Sequence, residues 1–142
     1  MTEKLLNIRF KSDTEEGLEE YLAAQNVGLV LRKIVKSLTL HETLTQEGDT
    51  FTHHFESSFK NHKMVFKLGE PFTDCGVDGR VMRTTVYVEG DTLITSQENT
   101  KDGDVPCRIE RRVRDDGKLA IKLISVPTQT ACNRVFVPVE KK

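Results

Sequence analysis

Apolar and polar residues alternate along most of this chain. Cys107, Ile109, Arg111 and Val113 share one parity while Arg108, Glu110, Arg112 and Arg114 share the other, which is the period of a half-buried strand. Asp115-Asp116-Gly117 follows as a turn, Gly117 taking the positive φ that a hairpin needs. Leu119, Ile121 and Leu123 then share one strand face, with Ala120, Lys122 and Ile124 opposite. In a final strand Cys132, Arg134 and Phe136 form one face, and Val135 and Val137 the other. Arg111 and Arg134 therefore point the same way as their apolar neighbours. An arginine aimed into an apolar interior is costly unless an anion meets it. That anion is either an internal Glu or Asp in a structural ion pair or the carboxylate of a ligand.

Earlier in the chain, Leu6, Ile8 and Phe10 alternate with Asn7, Arg9 and Lys11 and predict a first strand. Ser12-Asp13-Thr14-Glu15-Glu16 predicts a helix start, with capping oxygens followed by acids at the positive end of the helix dipole. Leu18, Tyr21 and Leu22 form its apolar stripe, and Gln25-Asn26 ends it. A second helix is expected from about Val27 to Lys36. Val27, Val30, Leu31, Ile34 and Val35 are apolar there, and Arg32, Lys33 and Lys36 basic. From Thr39 on, turn signals recur about every ten residues, the spacing of an all-β barrel or sandwich. Thr50, Thr52, Thr84, Thr95 and Gln97 put polar groups on faces expected to point inward. A dry sandwich core would not want them, whereas a barrel holding water and a ligand would.

The 142 residues suit one domain, here 1–142. A formal net charge of −1 with 30% charged residues gives no long-range pull toward nucleic acid. The cysteines, Cys75, Cys107 and Cys132, have neither metal-type spacing nor a disulfide pattern. No N-terminal apolar run suggests a signal peptide or membrane helix, so a reducing, intracellular setting is expected.

Ser57-Ser58-Phe59-Lys60-Asn61, Phe66-Lys67-Leu68-Gly69-Glu70-Pro71-Phe72 and Asp78-Gly79-Arg80 resemble the intracellular fatty-acid-binding proteins. So do Leu18-Glu19-Glu20-Tyr21-Leu22 and Val27-Gly28-Leu29-Val30-Leu31-Arg32-Lys33. The likeness covers nearly the whole chain in the family's order. It implies a ten-stranded antiparallel up-and-down β-barrel capped by a helix-turn-helix lid at about residues 14–36. It also implies non-covalent binding and intracellular transport of a long-chain fatty acid or similar hydrophobic carboxylate, without catalysis or cofactor, by a monomer in the cytoplasm or nucleus.

The resemblance places the carboxylate group on an eighth-strand arginine and an Arg-x-Tyr of the last strand. Arg134-Val135-Phe136 matches the latter, with Phe136 where the family has tyrosine. The eighth-strand residue is Arg111 or Arg112, and alternation with Ile109 and Val113 selects Arg111. Lys60, Val77, Asp78, Arg80, Gln97, Ile121 and Leu123 fall on family positions lining the cavity or its mouth, and Phe59 on the portal. Leu18, Leu22, Leu31 and Val35 are the lid's candidate ligand contacts. Arg32, Lys33 and Lys36 are candidates for touching an anionic membrane during lipid exchange. Arg32 and Lys33 also match two of three positions of the family's nuclear-entry patch, the third standing at Ala23.

Other constellations carry less. Adjacent strand residues His53 and His54 point to opposite faces and cannot chelate one metal together, so no metal site is expected. Cys107 and Cys132 suit apolar packing better than nucleophilic chemistry. The Arg108–Arg114 strip lacks interleaved aromatics and is diluted by acids, so a solvated face is favoured over nucleic acid. Two alternatives stay beside the fatty-acid carrier: a retinoid carrier of the same fold, and a small β-barrel enzyme or nucleic-acid-binding module.

Overall fold

Ten short strands, each polar on one side and largely apolar on the other, close around a common interior. The structure is a computed structural model that describes residues 2–76 and 79–139. After strand β1 (Arg9–Glu16) come helices α1 (Leu18–Ala24) and α2 (Leu29–Ser37). The strands β2 (His41–Glu47), β3 (Thr50–Glu56), β4 (His62–Lys67), β5 (Phe72–Cys75) and β6 (Val81–Glu89) follow. The chain closes with β7 (Thr92–Asn99), β8 (Cys107–Val113), β9 (Leu119–Ser125) and β10 (Thr130–Val139). The sheet order is β4-β3-β2-β1-β10-β9-β8-β7-β6-β5 with antiparallel pairing. Only the β4 and β5 edges lack a ladder between them, so this is the expected antiparallel barrel with a helical cap, open along one seam.

Away from the lid the barrel is filled by side chains. Phe10, Leu44, Phe51, Phe66, Leu93, Leu119, Ile121 and Phe136 are all buried in one cluster. Phe51 and Phe66, opposite each other on β3 and β4, stack at 5.6 Å. A second cluster joins Leu18, Tyr21, Leu22 and Val27 to Cys107 and Cys132, fastening the lid to the barrel.

Four expectations are corrected. Ser12–Glu16 is strand, not helix: Ser12 pairs Phe136, Thr14 pairs Val135 and Glu16 pairs Asn133, past a bulge between Ser12 and Thr14. Pairing with β10 outweighs the local capping signal, and the helix waits for Leu18. Gly17 makes the corner at φ 81°, where an added Cβ would lie 2.7 Å from the Ala131 carbonyl oxygen. Glu15 still caps, accepting the Leu18 backbone N–H at 3.2 Å. The first strand likewise begins at Arg9, because Asn7 turns the backbone to φ 62°. The second helix begins at Leu29, leaving Val27 as a buried connector whose N–H reaches the Leu22 carbonyl. Finally, Thr50 and Thr52 lie on the outer face, since Phe51 and His53 on the same strand point in. Thr84 and Thr95 are buried as expected.

Candidate functional site: a lidded cavity with two buried arginines

Between the lid and the packed end of the barrel lies a cavity of about 280 Å³. Tyr21, Leu22, Leu31 and Val35 form its roof. Phe59 and Lys60 stand at its mouth, and Phe55, Met64, Met82 and Ile109 supply apolar wall. The polar wall includes Thr95, Gln97, Glu42 and Arg111.

Arg111 points inward, as the alternation of β8 requires, and only 6% of it is exposed. Its Nε donates to Glu42 Oε1 at 2.8 Å and its Nη2 to Oε2 at 3.3 Å, a two-pronged pairing of planar groups. Phe55 lies under the guanidinium at 5.6 Å. His53 Nε2 stands 3.3 Å from the same Glu42 Oε1. Burial pushes the Glu42 carboxyl up, but Arg111 and then His53 outweigh it and hold it down at about 2. Burial, followed by the Arg111 charge, pushes the His53 imidazole below its ordinary value. The centre is thus an ionised Glu42–Arg111 pair beside a neutral His53.

Arg134 has the same burial and a different setting. It is 9% exposed, its Nε has no hydrogen-bond partner among the described residues, and its guanidinium lies 5.3 Å from the Phe136 ring centre. Burial pulls its pKa down from the ordinary value, with Cys132, Glu15 and Glu42 pulling the other way. Burial also pushes the Cys132 thiol up to about 11, leaving it protonated and unreactive at neutral pH.

Of the candidate residues, Leu22, Leu31, Val35, Phe59, Lys60, Arg80, Gln97 and Arg111 line the cavity. Arg134, Phe136, Leu18, Ile121 and Leu123 are not on its wall: Ile121 and Phe136 are packed in the barrel cluster, and Leu18 in the lid cluster. Val77 and Asp78 lie outside the described residues. Glu42 was not singled out from sequence, and His53 only as half of an adjacent histidine pair. Glu42 shares its strand face with Leu44, a parity signal of the kind that placed Arg111. Gln25, expected only to end a helix, is 1% exposed and ties the lid down. Its Nε2 donates to Ser125 Oγ at 2.9 Å and to the Pro106 carbonyl at 3.2 Å, while its Oε1 accepts from Arg80 at 3.0 Å.

At the mouth, Phe59 is 45% exposed. On α2, Leu29 and Val30 are exposed at 55% and 74%, so Val30, one of the apolar positions of the helix, faces solvent. Lys33 is exposed, but Arg32 donates to the Val27 carbonyl and pairs with Glu19, as does Lys36. The outward arginines of β8 and its turn also have acidic partners. Arg108 meets Glu110 and Glu89, Arg112 meets Asp91, and Arg114 meets Asp116, so this strip offers phosphate no unpaired cation row. No helix among the described residues is long and apolar enough to cross a membrane.

No protein-family model matches the chain. It is 34% identical over 108 residues to fatty acid-binding protein homolog 6 of Caenorhabditis elegans, covering 76% of this chain and 80% of the relative. It is 38% identical over 96 residues to retinol-binding protein 1 of Bos taurus, covering 66% of this chain and 71% of the relative. Lipid binding protein 8 of Caenorhabditis elegans superposes with a TM-score of 0.90 at 29% identity, over 98% of both chains. Fold, lidded cavity and these likenesses together mean that the chain belongs to the intracellular lipid-binding protein family of fatty-acid-binding and retinol-binding proteins.

Proposed function

We propose that this chain binds one long-chain fatty acid, or a similar hydrophobic carboxylate, non-covalently under the helical lid and carries it within the cell. The carrying observation is the apolar-walled cavity that reaches buried cationic chemistry in a protein of this family. A volume of about 280 Å³ sits at the small end of ligand pockets, which favours a single chain. Burying about sixteen carbons is worth roughly 12 kcal/mol gross, and association costs several kcal/mol of it. Dissociation constants of roughly 10 nM to 10 μM follow. Arg111 on the wall is already engaged by Glu42, so Arg134, which lies off the wall, is the cation left for a carboxylate that reaches past the cavity. A buried guanidinium Nε without a hydrogen-bond partner among the described residues calls for water or an anion.

A second reading keeps the fold and changes the head group. Because Glu42 neutralises Arg111, the wall presents an ion pair that can donate to and accept from a hydroxyl, which suits a retinoid or other long-chain alcohol. Exchange in either case runs through the mouth at Phe59, where exposed Leu29, Val30 and Lys33 suit contact with an anionic membrane.

Solvent extraction of the purified protein with mass spectrometry, followed by a chain-length series of acids and matching alcohols, tests this. Co-purified fatty acid and affinity rising with length until the cavity fills are expected. A flat series counts against an internal apolar site, and tighter binding of alcohols than acids moves the choice to the second reading.

A further inference from the structure

Glu42 makes a bond that crosses the barrel interior. Its strand, β2, is separated from β8 in the sheet by β1, β10 and β9, so the contact with Arg111 is made through the lumen and not along a ladder. Both residues line the cavity, and each side chain is 7% exposed. Glu42 carries the same functional group as a fatty acid's head, and it already uses both oxygens on the Arg111 fork. A ligand carboxylate could take that fork only by displacing Glu42, leaving two like charges close together in a poorly solvated place. A hydroxyl meets no such conflict, since it adds to the pair without carrying charge.

We infer that Glu42 is a specificity-determining residue: an internal carboxylate that occupies Arg111 in place of a ligand's, denies ionised head groups that cation, and leaves at the cavity wall a neutral pair open to hydroxyl or carbonyl groups. This rests on the lipid-carrier reading above. The His53 imidazole, 3.3 Å from Glu42, braces the carboxylate in that position. With Glu42 held at about 2, the pair stays ionised throughout the neutral range.

The test measures dissociation constants of hexadecanoic acid and hexadecan-1-ol on delipidated protein by displacement of a fluorescent long-chain probe. Glu42→Gln frees Arg111 without removing bulk. Its affinity for the acid should rise by about tenfold or more, the size of one charge-assisted contact, while the alcohol changes little. Acid affinity that stays level or falls in this variant overturns the inference. Where Glu42→Gln alone does not fold, the Glu42→Gln/Arg111→Gln pair replaces the ions by two amides and should bind the acid as the parent does. A tenfold loss in that double variant would mean that Arg111 serves the acid despite Glu42, which also overturns the inference. A parent protein that takes up neither ligand sinks the carrier reading itself and this inference with it, whereas normal parent binding with an unresponsive Glu42→Gln sinks the inference alone.

Discussion

β8 and β10 carry the same device, an inward arginine between apolar residues, and the molecule treats the two differently. Arg111 is held by both oxygens of Glu42 and backed by His53. Arg134, similarly enclosed, has the face of Phe136 beside it and an Nε that no hydrogen-bond partner among the described residues meets. The first is a closed ion pair that completes itself within the fold. The second is a cation whose counterpart must come from outside. Burial of a charge is thus no sign of its role; the partner decides whether it is scaffold or receptor.

Removing one member of the closed pair should have the largest effect. Glu42→Ala leaves Arg111 buried and unmatched, and should lower stability by about 3–5 kcal/mol in urea unfolding. Arg134→Met removes a cation that has no hydrogen-bonded acid among the described residues, and should change apo stability by no more than about 1 kcal/mol in either direction. Equal losses would erase the distinction.

Binding should reverse that ranking. Arg134→Gln should weaken hexadecanoic acid by about 1.5–3 kcal/mol while sparing the matching alcohol. An acid that loses nothing would remove Arg134 from the head-group site.

Of the two arginine sites, acid should affect the closed pair. His53 has a folded pKa below its unfolded value of about 6.5, so its neutral form contributes fully above that pH and stability erodes as pH falls below it. Glu42, held at about 2, contributes fully above the unfolded glutamate value of about 4.3. Its share is lost as pH falls toward 2. Urea midpoints followed from pH 7 downward should therefore drop in two stages, and His53→Gln should remove the upper one. An unaltered profile in that variant would detach His53 from the pair.

The smallest effect should come from Phe136→Tyr. A hydroxyl set beside the Arg134 guanidinium offers a carboxylate one more donor, and should tighten hexadecanoic acid by about 0.5–1.5 kcal/mol with no gain for the alcohol. A gain shared by both ligands would assign the change to packing.

Strand parity, turn residues and the helical stripes were readable from the chain, because each depends on residues within one strand or one helical turn. They placed Arg111 inward rather than Arg112, put Cys132, Arg134 and Phe136 on one buried face, and separated His53 from His54. The resemblance of the lid and turn motifs supplied the closed barrel, which parity alone left undivided from a sandwich. Local signals failed at Ser12–Glu16, where a good capping sequence is overruled by the ladder to β10, a partner more than a hundred residues away. They also gave no hint that Gln25 would be locked between Arg80, Pro106 and Ser125.

What the chain by itself determined is which residues of a strand share a face, since that follows from backbone geometry of period two. It therefore established that two arginines needed anions inside. Which of them already had one was decided only by closure of the barrel, which carries Glu42 across the lumen to Arg111 and leaves Arg134 Nε without a hydrogen-bond partner among the described residues. Glu42 and Arg111 are 69 residues apart in sequence, and strand parity carries no information about distances across a closed sheet.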